Sequence, residues 1–331
     1  MKNKNILVTG GAGFIGSHLV ERLVEKGYFV ICLDNFNDYY DPNLKENNIA
    51  GVIDNPNFKL IRGDILDVLL LDDIFSGNNY PKPTKIAHLA AMAGVRPSIA
   101  SPDIYVDVDV KGTVNLLEKA KEYNIEHFIF ASSSSVYGLN QKTPFSEDDP
   151  VELQISPYAT AKMAAELFCK TYNNLYRIPT TVLRFFTVYG ERQRPDMAIR
   201  KFTKLIVEDK PISMFGDGSS LRDYTYISDC IVCIDSAIEL QKDFEIINIG
   251  SGRTISLKEL IRVLEKVTGK KIGVKKLDMQ PGDVPTTYAD IKKARMLLGY
   301  NPQITIEEGI RRFFKWYNCR QSSSNEVYCY S

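Results

Sequence analysis

The feature that most constrains the fold is a glycine-rich turn near the start of the chain. An apolar run at residues 5–9 leads into Gly10, Gly13 and Gly16, and an amphipathic helix is predicted over 13–26. At such a turn the glycines permit a tight bend, let a pyrophosphate approach the backbone and let the helix pack on the strand. The positive end of the helix dipole then faces the phosphates, which predicts dinucleotide binding. The residues expected to form this phosphate cradle are Gly10, Gly13, Phe14, Ile15 and Gly16.

Short apolar runs continue to alternate with amphipathic stretches after this turn, which predicts parallel βαβ units. Six strands are predicted, at residues 5–9, 29–33, 58–62, 85–89, 127–131 and 181–185. Helices are predicted between them, among them those at 13–26, 103–123 and 158–176. The pattern indicates an α/β fold, a Rossmann-type doubly wound parallel sheet with a smaller C-terminal substrate-binding lobe.

The alternation loosens after Tyr189, where Gly and Pro become frequent. We therefore expect a dinucleotide-binding domain over residues 1–189, a substrate-binding lobe over 190–318 and a polar tail over 319–331. A strand near 245–249, within 225–250, is expected to return to the first sheet. Helices are predicted over 256–268, 290–298 and 305–317.

The overall charge is balanced: Lys plus Arg and Asp plus Glu number 41 each in the 331 residues. This balance argues against attraction to nucleic acid or to a membrane surface. The first apolar run is too short for a signal peptide or a membrane span. The six cysteines show no metal-ligand spacing and fit a reducing compartment. We expect a cytoplasmic protein with no nucleic-acid partner, no membrane association and no metal.

Polar residues that follow the second and third strands indicate which dinucleotide binds. Asp34 lies about 20 residues beyond the cradle, where an acid accepts hydrogen bonds from the adenosine ribose hydroxyls. A carboxylate there repels a 2′-phosphate, so NAD is favoured over NADP, and Asn35 is expected to bind the same nucleotide. Asp64 and Ile65 are placed against the adenine. A plain turn acid is an equal alternative for Asp64.

A tyrosine and a lysine begin the predicted helix at 158–176. Tyr158 and Lys162 are four residues apart, so they share one helix face. A free tyrosine ionises at about pH 10, but a neighbouring ammonium and the positive nicotinamide ring both favour the phenolate. The fifth strand leads into a serine run that includes Ser133, whose hydroxyl can hydrogen-bond a substrate oxygen. These groups predict hydride transfer at a carbon that bears a hydroxyl.

Together the glycine cradle, the serine run and the Tyr158/Lys162 pair resemble the short-chain dehydrogenase/reductase superfamily, in its extended branch. The resemblance covers nearly the whole chain, to about Tyr317. It implies a catalytic trio of Ser133, Tyr158 and Lys162, with Lys162 also holding the nicotinamide ribose. Further residues implied at the cofactor are Leu89, Ala90, Ala91 and Phe185. Members usually pair through the helices predicted at 103–123 and 158–176, so a homodimer is implied.

Two segments of the second lobe resemble the nucleotide-sugar grip of the epimerases in this superfamily. The first runs from Phe215 to Tyr224 and contains Arg222, whose planar, multi-donor cation suits a diphosphate. The second is Gln280-Pro281-Gly282-Asp283, which resembles the loop that contacts the nucleotide ribose through Asp283. The resemblance therefore implies a UDP-sugar as substrate.

The identity of the sugar is indicated by a further set of motifs. The dehydratases and decarboxylases of this fold carry an acid directly before Val-Tyr-Gly, where this chain has Ser135. The segments at 34–41, 93–96 and 183–198 resemble UDP-glucuronate 4-epimerases. Hydroxyl donors and a charge-assisted bond would receive the sugar carboxylate. The residues expected to bind substrate in this way are Arg96, Ser134, Ser135, Thr187 and Arg194; the arginines have phosphate or solvent as alternatives.

The resulting hypothesis is interconversion of UDP-glucuronate and UDP-galacturonate by transient oxidation at C4. A 4-epimerase for UDP-glucose or its N-acetyl form is the nearest alternative. A net oxidoreductase and a non-catalytic NAD-binding regulator are the others. The regulator has no use for a Tyr158/Lys162 pair, whereas the oxidoreductase would change nicotinamide absorbance in proportion to product.

Overall fold

The computed structural model describes residues 4–278 and 284–322, and its centre is a seven-stranded sheet. The strands of this sheet are β1 (Asn5–Thr9), β2 (Phe29–Asp34), β3 (Phe58–Arg62), β4 (Lys85–His88), β5 (His127–Ser133), β6 (Thr180–Phe185) and, later in the chain, Phe244–Ile249. All neighbouring pairs are parallel. The predicted Rossmann-type sheet is therefore confirmed.

Helices cover both faces of this sheet. They are α1 (Phe14–Glu25), α2 (Pro42–Ile49), α3 (Val68–Ser76), α4 (Val95–Ala100), α5 (Pro102–Tyr105), α6 (Gly112–Glu122) and α7 (Pro157–Tyr176). Ile6 and Val8 belong to a core that includes α1, whereas Leu7 faces α3, α6 and α7. Because Ile6, Leu7 and Val8 are fully buried, β1 is apolar on both sides, as a central parallel strand must be.

The remaining elements follow β6 along the chain. The strands are β7 (Thr187–Tyr189), β8 (Ile212–Phe215), β9 (Leu221–Arg222), β10 (Tyr224–Tyr226), β11 (Phe244–Ile249), β12 (Ile255–Ser256) and β13 (Val274–Leu277). The helices are α8 (Ala198–Val207), α9 (Ile227–Ile238), α10 (Leu257–Thr268), α11 (Lys292–Leu298) and α12 (Ile306–Ser322). Three two-stranded sheets form here, β7 with β10, β9 with β12 and β8 with β13. The lobe boundaries at residues 189 and 318 stay a prediction.

The order of strands in the large sheet is β11-β6-β5-β4-β1-β2-β3. The direction in which successive strands are added to the sheet reverses between β1 and β4. Strands β2 and β3 lie on one side of β1, whereas β4, β5 and β6 lie on its other side. In open parallel sheets, ligands bind outside the carboxyl ends of the strands at such a reversal. The topology thus places a binding crevice beside Thr9 and His88, the last residues of β1 and β4.

The helix predicted over 103–123 is not regular. It begins with α5, passes through the π-helical segment Val106–Lys111 and ends as α6. A π-helical turn holds one more residue than an α-helical turn, and such segments occur frequently at functional sites. The apolar periodicity of the sequence does not reveal this turn, which buries Asp109.

Helix α7 begins almost where the sequence predicts it. The Ser156 side chain accepts a hydrogen bond from the backbone N–H of Ala159 at 3.1 Å, and Pro157 occupies the first helical position. Both features are favourable at a helix start. The cap therefore fixes where the first turn lies, and with it the position of Tyr158.

Candidate active site

A cavity of about 570 Å³ lies at the carboxyl ends of the central strands, where the topology places a crevice. It is lined by most of the residues that the sequence predicts for the site. These are Gly10, Gly13, Phe14, Ile15, Gly16, Asp34, Asn35, Asp64, Ile65, Leu89, Ala90, Ala91, Ser133, Ser134, Ser135, Tyr158, Lys162, Phe185, Thr187 and Arg194. Segments far apart in sequence thus meet around one space.

The phosphate cradle requires glycine at two of its positions. Gly10 has φ +67°, and a Cβ there would lie 2.7 Å from the backbone nitrogen of Ala90. At Gly16 a Cβ would collide with the carbonyl oxygen of Gly10. Since α1 begins at Phe14, its free N–H groups open onto the cavity. This bare backbone beside a helix N-terminus fits a pyrophosphate.

Asp34 is held rigidly at the end of β2. Its Oδ2 accepts a hydrogen bond from the Ala12 backbone N–H at 3.1 Å, and its Oδ1 accepts one from the Phe36 N–H at 2.9 Å. Each carboxylate oxygen has a further lone pair for a ribose hydroxyl. The ammonium of Lys45 lies 3.8 Å from Oδ1 and offsets part of the negative charge. Burial is the largest influence on Lys45 and lowers its pKa.

Asn35 and Asp64 come together although they follow different strands. The Asn35 side-chain amide donates to Asp64 Oδ2 at 2.8 Å. The other oxygen of Asp64 accepts from the Leu66 backbone N–H at 2.9 Å. Both residues line the cavity, together with Ile65. Their arrangement forms a small polar and apolar wall of the kind predicted for the adenine.

Lys162 lies at the inner end of the cavity with its side chain almost wholly buried. Its Nζ donates to the Ala131 carbonyl at 3.1 Å and lies 3.7 Å from Asp109 Oδ2. The ring of Tyr158 packs edge-on against Tyr105, with 6.1 Å between the ring centroids. The phenol and the ammonium therefore open onto the same space.

A neutral histidine lies behind the pair. His88 is buried between the hydroxyls of Thr9 at 2.7 Å and Thr113 at 3.0 Å. Burial, reinforced by the positive charge of Lys162, lowers the pKa of His88 to about 3. The ring is therefore uncharged at neutral pH, and it joins β1, β4 and α6 rather than exchanging protons with the cavity.

The serine run faces two ways. Ser133 Oγ accepts from the Ser135 backbone N–H and bonds the Ser135 hydroxyl, both at 3.1 Å. Ser133, Ser134 and Ser135 all line the cavity. Ser132 Oγ points away and donates to the carboxylate of Glu166, which Arg184 also binds. The run therefore presents a short row of hydroxyls beside Tyr158 and anchors it through the neighbouring serine.

The two cavity-lining substrate candidates beyond the serines are Thr187 and Arg194. Arg194 donates from Nε and Nη2 to the two oxygens of Asp196, each at 3.0 Å. Its guanidinium carbon lies 5.8 Å from the centre of the Tyr39 ring. Asp196 therefore balances the charge that Arg194 brings to the cavity.

Two of the predicted substrate residues that the structure describes, Arg96 and Arg222, do not line the cavity. The Arg96 guanidinium is stacked over the ring of Phe215 in β8, 4.6 Å from its centre, and does not line the cavity. Arg222 lies in β9, where its Nη1 donates to the carbonyl of Leu221 at 2.8 Å. Asp283 lies outside the described residues. The roles of these three residues stay predictions.

Several residues that line the cavity were missed by sequence reasoning. Among them are Asn37, Tyr39, Tyr40, Lys45, Met92, Ile104, Asp107 and Met197. Asn37, Tyr39 and Tyr40 belong to the Asp34–Asp41 stretch that carries part of the family resemblance, so a signal was present. Asp107 sits in the irregular helix, and no local pattern marks it. Within residues 4–278 and 284–322, no grouping of His, Cys, Asp and Glu suited to a metal ion occurs, and no helix is long and apolar enough to cross a membrane.

Comparisons with known proteins agree with this geometry. A model of the family described as GDP-mannose 4,6 dehydratase matches residues 7–313. The UDP-glucuronate 4-epimerase of Thermodesulfobacterium geofontis is 43% identical over 311 residues, 94% of this chain and 95% of that protein. The crystal structure of UDP-glucuronic acid 4-epimerase from Bacillus cereus, in complex with UDP-glucuronic acid and NAD, is 39% identical with a TM-score of 0.88, covering 96% and 99% of the two chains. UDP-glucose 4-epimerase from Thermotoga maritima, solved with UDP-glucose, is 34% identical with a TM-score of 0.86 and the same coverage.

Proposed function

This chain belongs to the GDP-mannose 4,6-dehydratase family, in the extended branch of the short-chain dehydrogenases/reductases, and we propose that it catalyses the NAD-dependent 4-epimerisation of a UDP-sugar. The favoured pair is UDP-glucuronate and UDP-galacturonate. The observation that carries the proposal is that Tyr158, Lys162 and the Ser133–Ser135 hydroxyls line the same cavity as the glycine cradle. The relatives named UDP-glucuronate 4-epimerase add support over nearly the whole chain.

The residues of the cavity fit NAD. Gly10 and Gly16 leave backbone that a Cβ would block, the α1 N-terminus faces an anion, and Asp34 offers lone pairs to ribose hydroxyls. Lys162 is assigned to the nicotinamide ribose. Other contacts with the cofactor are assigned to Leu89, Ala90, Ala91 and Phe185. A bound NAD would supply the hydride acceptor for oxidation at C4 of the sugar and the hydride donor for its reduction, so the overall reaction would be redox-neutral.

The protein's own residues supply the proton transfer. Tyr158 as a phenolate takes the proton of the sugar 4-hydroxyl, and the ammonium of Lys162 favours that charged form. The Ser133 hydroxyl binds the same sugar oxygen and keeps it aimed at Tyr158. After the 4-keto sugar turns about its diphosphate bonds, Tyr158 returns the proton to the oxygen on the opposite face. Epimerisation follows because the pocket accepts both faces of the ring.

Hydroxyl donors define where the sugar carboxylate binds. Ser134, Ser135 and Thr187 line the cavity beside Tyr158, and Arg194 lines it at the side of Tyr39. Three hydroxyls and one guanidinium would hold the carboxylate of a β-keto acid in place and so oppose loss of CO₂. Arg222 and Asp283 are assigned to the nucleotide, and Arg96 to the carboxylate or a phosphate.

A 4-epimerase for a neutral hexose, UDP-glucose or UDP-N-acetylglucosamine, is the second candidate. The similarity to the Thermotoga enzyme solved with UDP-glucose favours it. The ion pair of Arg194 with Asp196 also favours a neutral sugar, because Asp196 already neutralises the positive charge of that guanidinium. A net oxidoreductase ranks below both because the relatives reported above are named 4-epimerases, and a non-catalytic NAD-binding regulator does so because it has no use for the Tyr158/Lys162 pair.

The test is incubation of the purified protein with UDP-glucuronate, without added NAD, and resolution of the products by NMR. Formation of UDP-galacturonate establishes epimerisation, retained cofactor and uronic-acid specificity together. Interconversion of UDP-glucose alone in a parallel tube overturns the carboxylate pocket and keeps the mechanism. If neither sugar is converted when NAD is supplied, the epimerase proposal is wrong.

The protein is also proposed to act as a homodimer in the cytoplasm. Exposed apolar side chains concentrate on α7 and on the helices that touch it. They are Ile99, Ile104, Val106, Leu167, Phe168 and Leu175. Exposed apolar side chains on neighbouring helices are typical of a protein–protein interface. The balanced charge supports the cytoplasmic location, as do Cys32, Cys169, Cys230 and Cys233, which are buried and form no disulfide.

A further inference from the structure

A buried carboxylate lies behind the Tyr158/Lys162 pair and has no part in the roles above. Asp109 belongs to the π-helical segment Val106–Lys111, and its side chain is fully shielded from solvent. Its Oδ1 accepts the Met92 backbone N–H at 2.7 Å. Its Oδ2 has no hydrogen-bond partner in the part of the chain that the structure describes, and lies 3.7 Å from Lys162 Nζ. A buried, half-satisfied carboxylate is costly and calls for an explanation.

The charged and titratable groups around Asp109 come from three neighbouring elements. Lys162 approaches Asp109 from α7, and Tyr105 approaches it from α5. Burial is the largest cause of the raised pKa of Tyr105, and the negative charge of Asp109 adds to it. His88 of β4 is linked to it through Thr113, whose hydroxyl donates to the Asp109 carbonyl oxygen. Because His88 is held neutral, the ammonium of Lys162 is the cation that faces Asp109 among the described residues.

The ionised carboxylate is expensive at this place. Burial raises the pKa of Asp109 to about 6, although Lys162 and the Met92 amide both act to lower it. An amide of the same shape would be easier to bury at neutral pH, because desolvation penalises only the charged form. The fold therefore carries a charge that stability alone does not favour.

We propose that Asp109 is a positioning residue of the epimerase reaction: it holds the Lys162 ammonium in place at the cavity that Tyr158 also lines. The inference rests on the proposed function. The Ala131 carbonyl accepts one hydrogen bond from the ammonium at 3.1 Å, and the carboxylate of Asp109 attracts it from 3.7 Å, so both groups hold Lys162 on the protein side of the cavity. The negative charge of Asp109 also weakens the effect of Lys162 on Tyr158, so the three groups together set the pH range of the reaction.

Asp109→Asn tests the charge with little change in shape. The amide oxygen can still accept the Met92 N–H, while the negative charge is lost. Removal of a negative charge makes every proton in the site easier to lose, so both limbs of the pH profile of kcat/KM for UDP-glucuronate should move to lower pH by about one unit. Asp109→Glu keeps the charge and should return both limbs to the wild-type positions. Asp103→Asn, an exposed acid in α5, is the matched control and should not move them.

A second measurement needs neither substrate nor activity. The pKa of Asp109 in the folded protein, about 6, lies above its usual value of 3.8, so the folded state binds the proton more tightly. The unfolding free energy of the wild type should therefore fall relative to that of Asp109→Asn as pH rises from about 4 to about 6, and then level off. Lys162→Met should raise the pKa of Asp109 further and so extend this fall above pH 6, and Asp109→Asn in the Lys162→Met background should abolish it.

The outcomes separate this role from the proposed function. If the wild type converts no UDP-sugar, the proposed function fails and the role of Asp109 fails with it. If the wild type is active and Asp109→Asn lowers kcat at all pH values without moving either limb, Asp109 is only structural. If Lys162→Met leaves the pH dependence of the unfolding free energy as it is in the wild type, Asp109 is not coupled to Lys162 and the proposal is wrong.

Discussion

The hydroxyl of Tyr158 is the smallest part of the molecule on which the mechanism depends. Tyr158→Phe removes it and leaves the ring packed against Tyr105. Loss of a general base typically lowers kcat by about 10²–10⁴-fold, and we expect a fall of at least that size in UDP-sugar interconversion measured by NMR. Binding of NAD should persist. Tyr80→Phe, away from the cavity, is the control, and near-normal turnover by Tyr158→Phe would assign the base to another group.

Asp34 is expected to decide which dinucleotide binds. Asp34→Asn removes a carboxylate that Lys45 partly neutralises at 3.8 Å. With the negative charge gone, Lys45 would favour a 2′-phosphate, so NAD should bind about tenfold more weakly while NADP binds no worse. Titration calorimetry with both nucleotides measures the ratio of dissociation constants. An unchanged ratio, with Asp54→Asn as the exposed control, would remove Asp34 from the ribose site.

Single residues differ in how far the sequence predicts them. Asp34 and Tyr158 follow fixed local patterns, a strand end and a helix start, so their places in the cavity were predictable. Asp109 lies in the π-helical segment Val106–Lys111 and its partner Lys162 is in α7, so only the packing of that segment against α7 brings them together. Arg96 was expected at the sugar carboxylate, yet its guanidinium is stacked on Phe215. No local rule predicts a stacking partner so distant in sequence.

A buried ion pair ties three elements together beneath the serine run. Arg184 of β6 donates to both oxygens of Glu166 in α7, and Ser132 of β5 donates to the same carboxylate. Glu166→Leu leaves the guanidinium buried without its partner, which should lower the unfolding free energy by about 3–5 kcal/mol in urea titrations at pH 7. Adding Arg184→Met to it should recover most of the loss. A small cost for Glu166→Leu alone would mean that water reaches Arg184.

The regular elements were the more predictable ones. Strands β1 and β3 have the bounds that the apolar runs predict. For β1 the reason is that both faces of a central parallel strand must be apolar. The helix expected over 103–123 contains a π-helical turn instead. The extra residue in that turn is selected by tertiary packing, and the apolar spacing of the sequence is compatible with a continuous helix as well.

At the scale of the whole molecule, the exposed apolar residues of α7 bear on whether two copies of the chain form a dimer. Leu167 and Leu175 of α7 are 55% and 66% exposed. A charge at both positions cannot be buried between two copies, so Leu167→Glu with Leu175→Glu should sediment as a monomer at micromolar concentration. Met296→Glu, at an exposed apolar residue of α11, should leave the assembly unchanged. A wild type that is itself monomeric would refute the homodimer.

The position of β11 at the edge of the sheet affects the chain while it is being synthesised. It pairs with β6, yet the residues between them in sequence form β7 to β10, α8 and α9. During synthesis β6 emerges first and exposes an unpaired edge until Ile249 has left the ribosome. Unpaired edges invite pairing with other chains. Helix α7 and the serine run are therefore synthesised while the sheet that supports them still lacks one strand. A pause in translation between Phe185 and Phe244 would prolong the interval in which the nascent chain can aggregate.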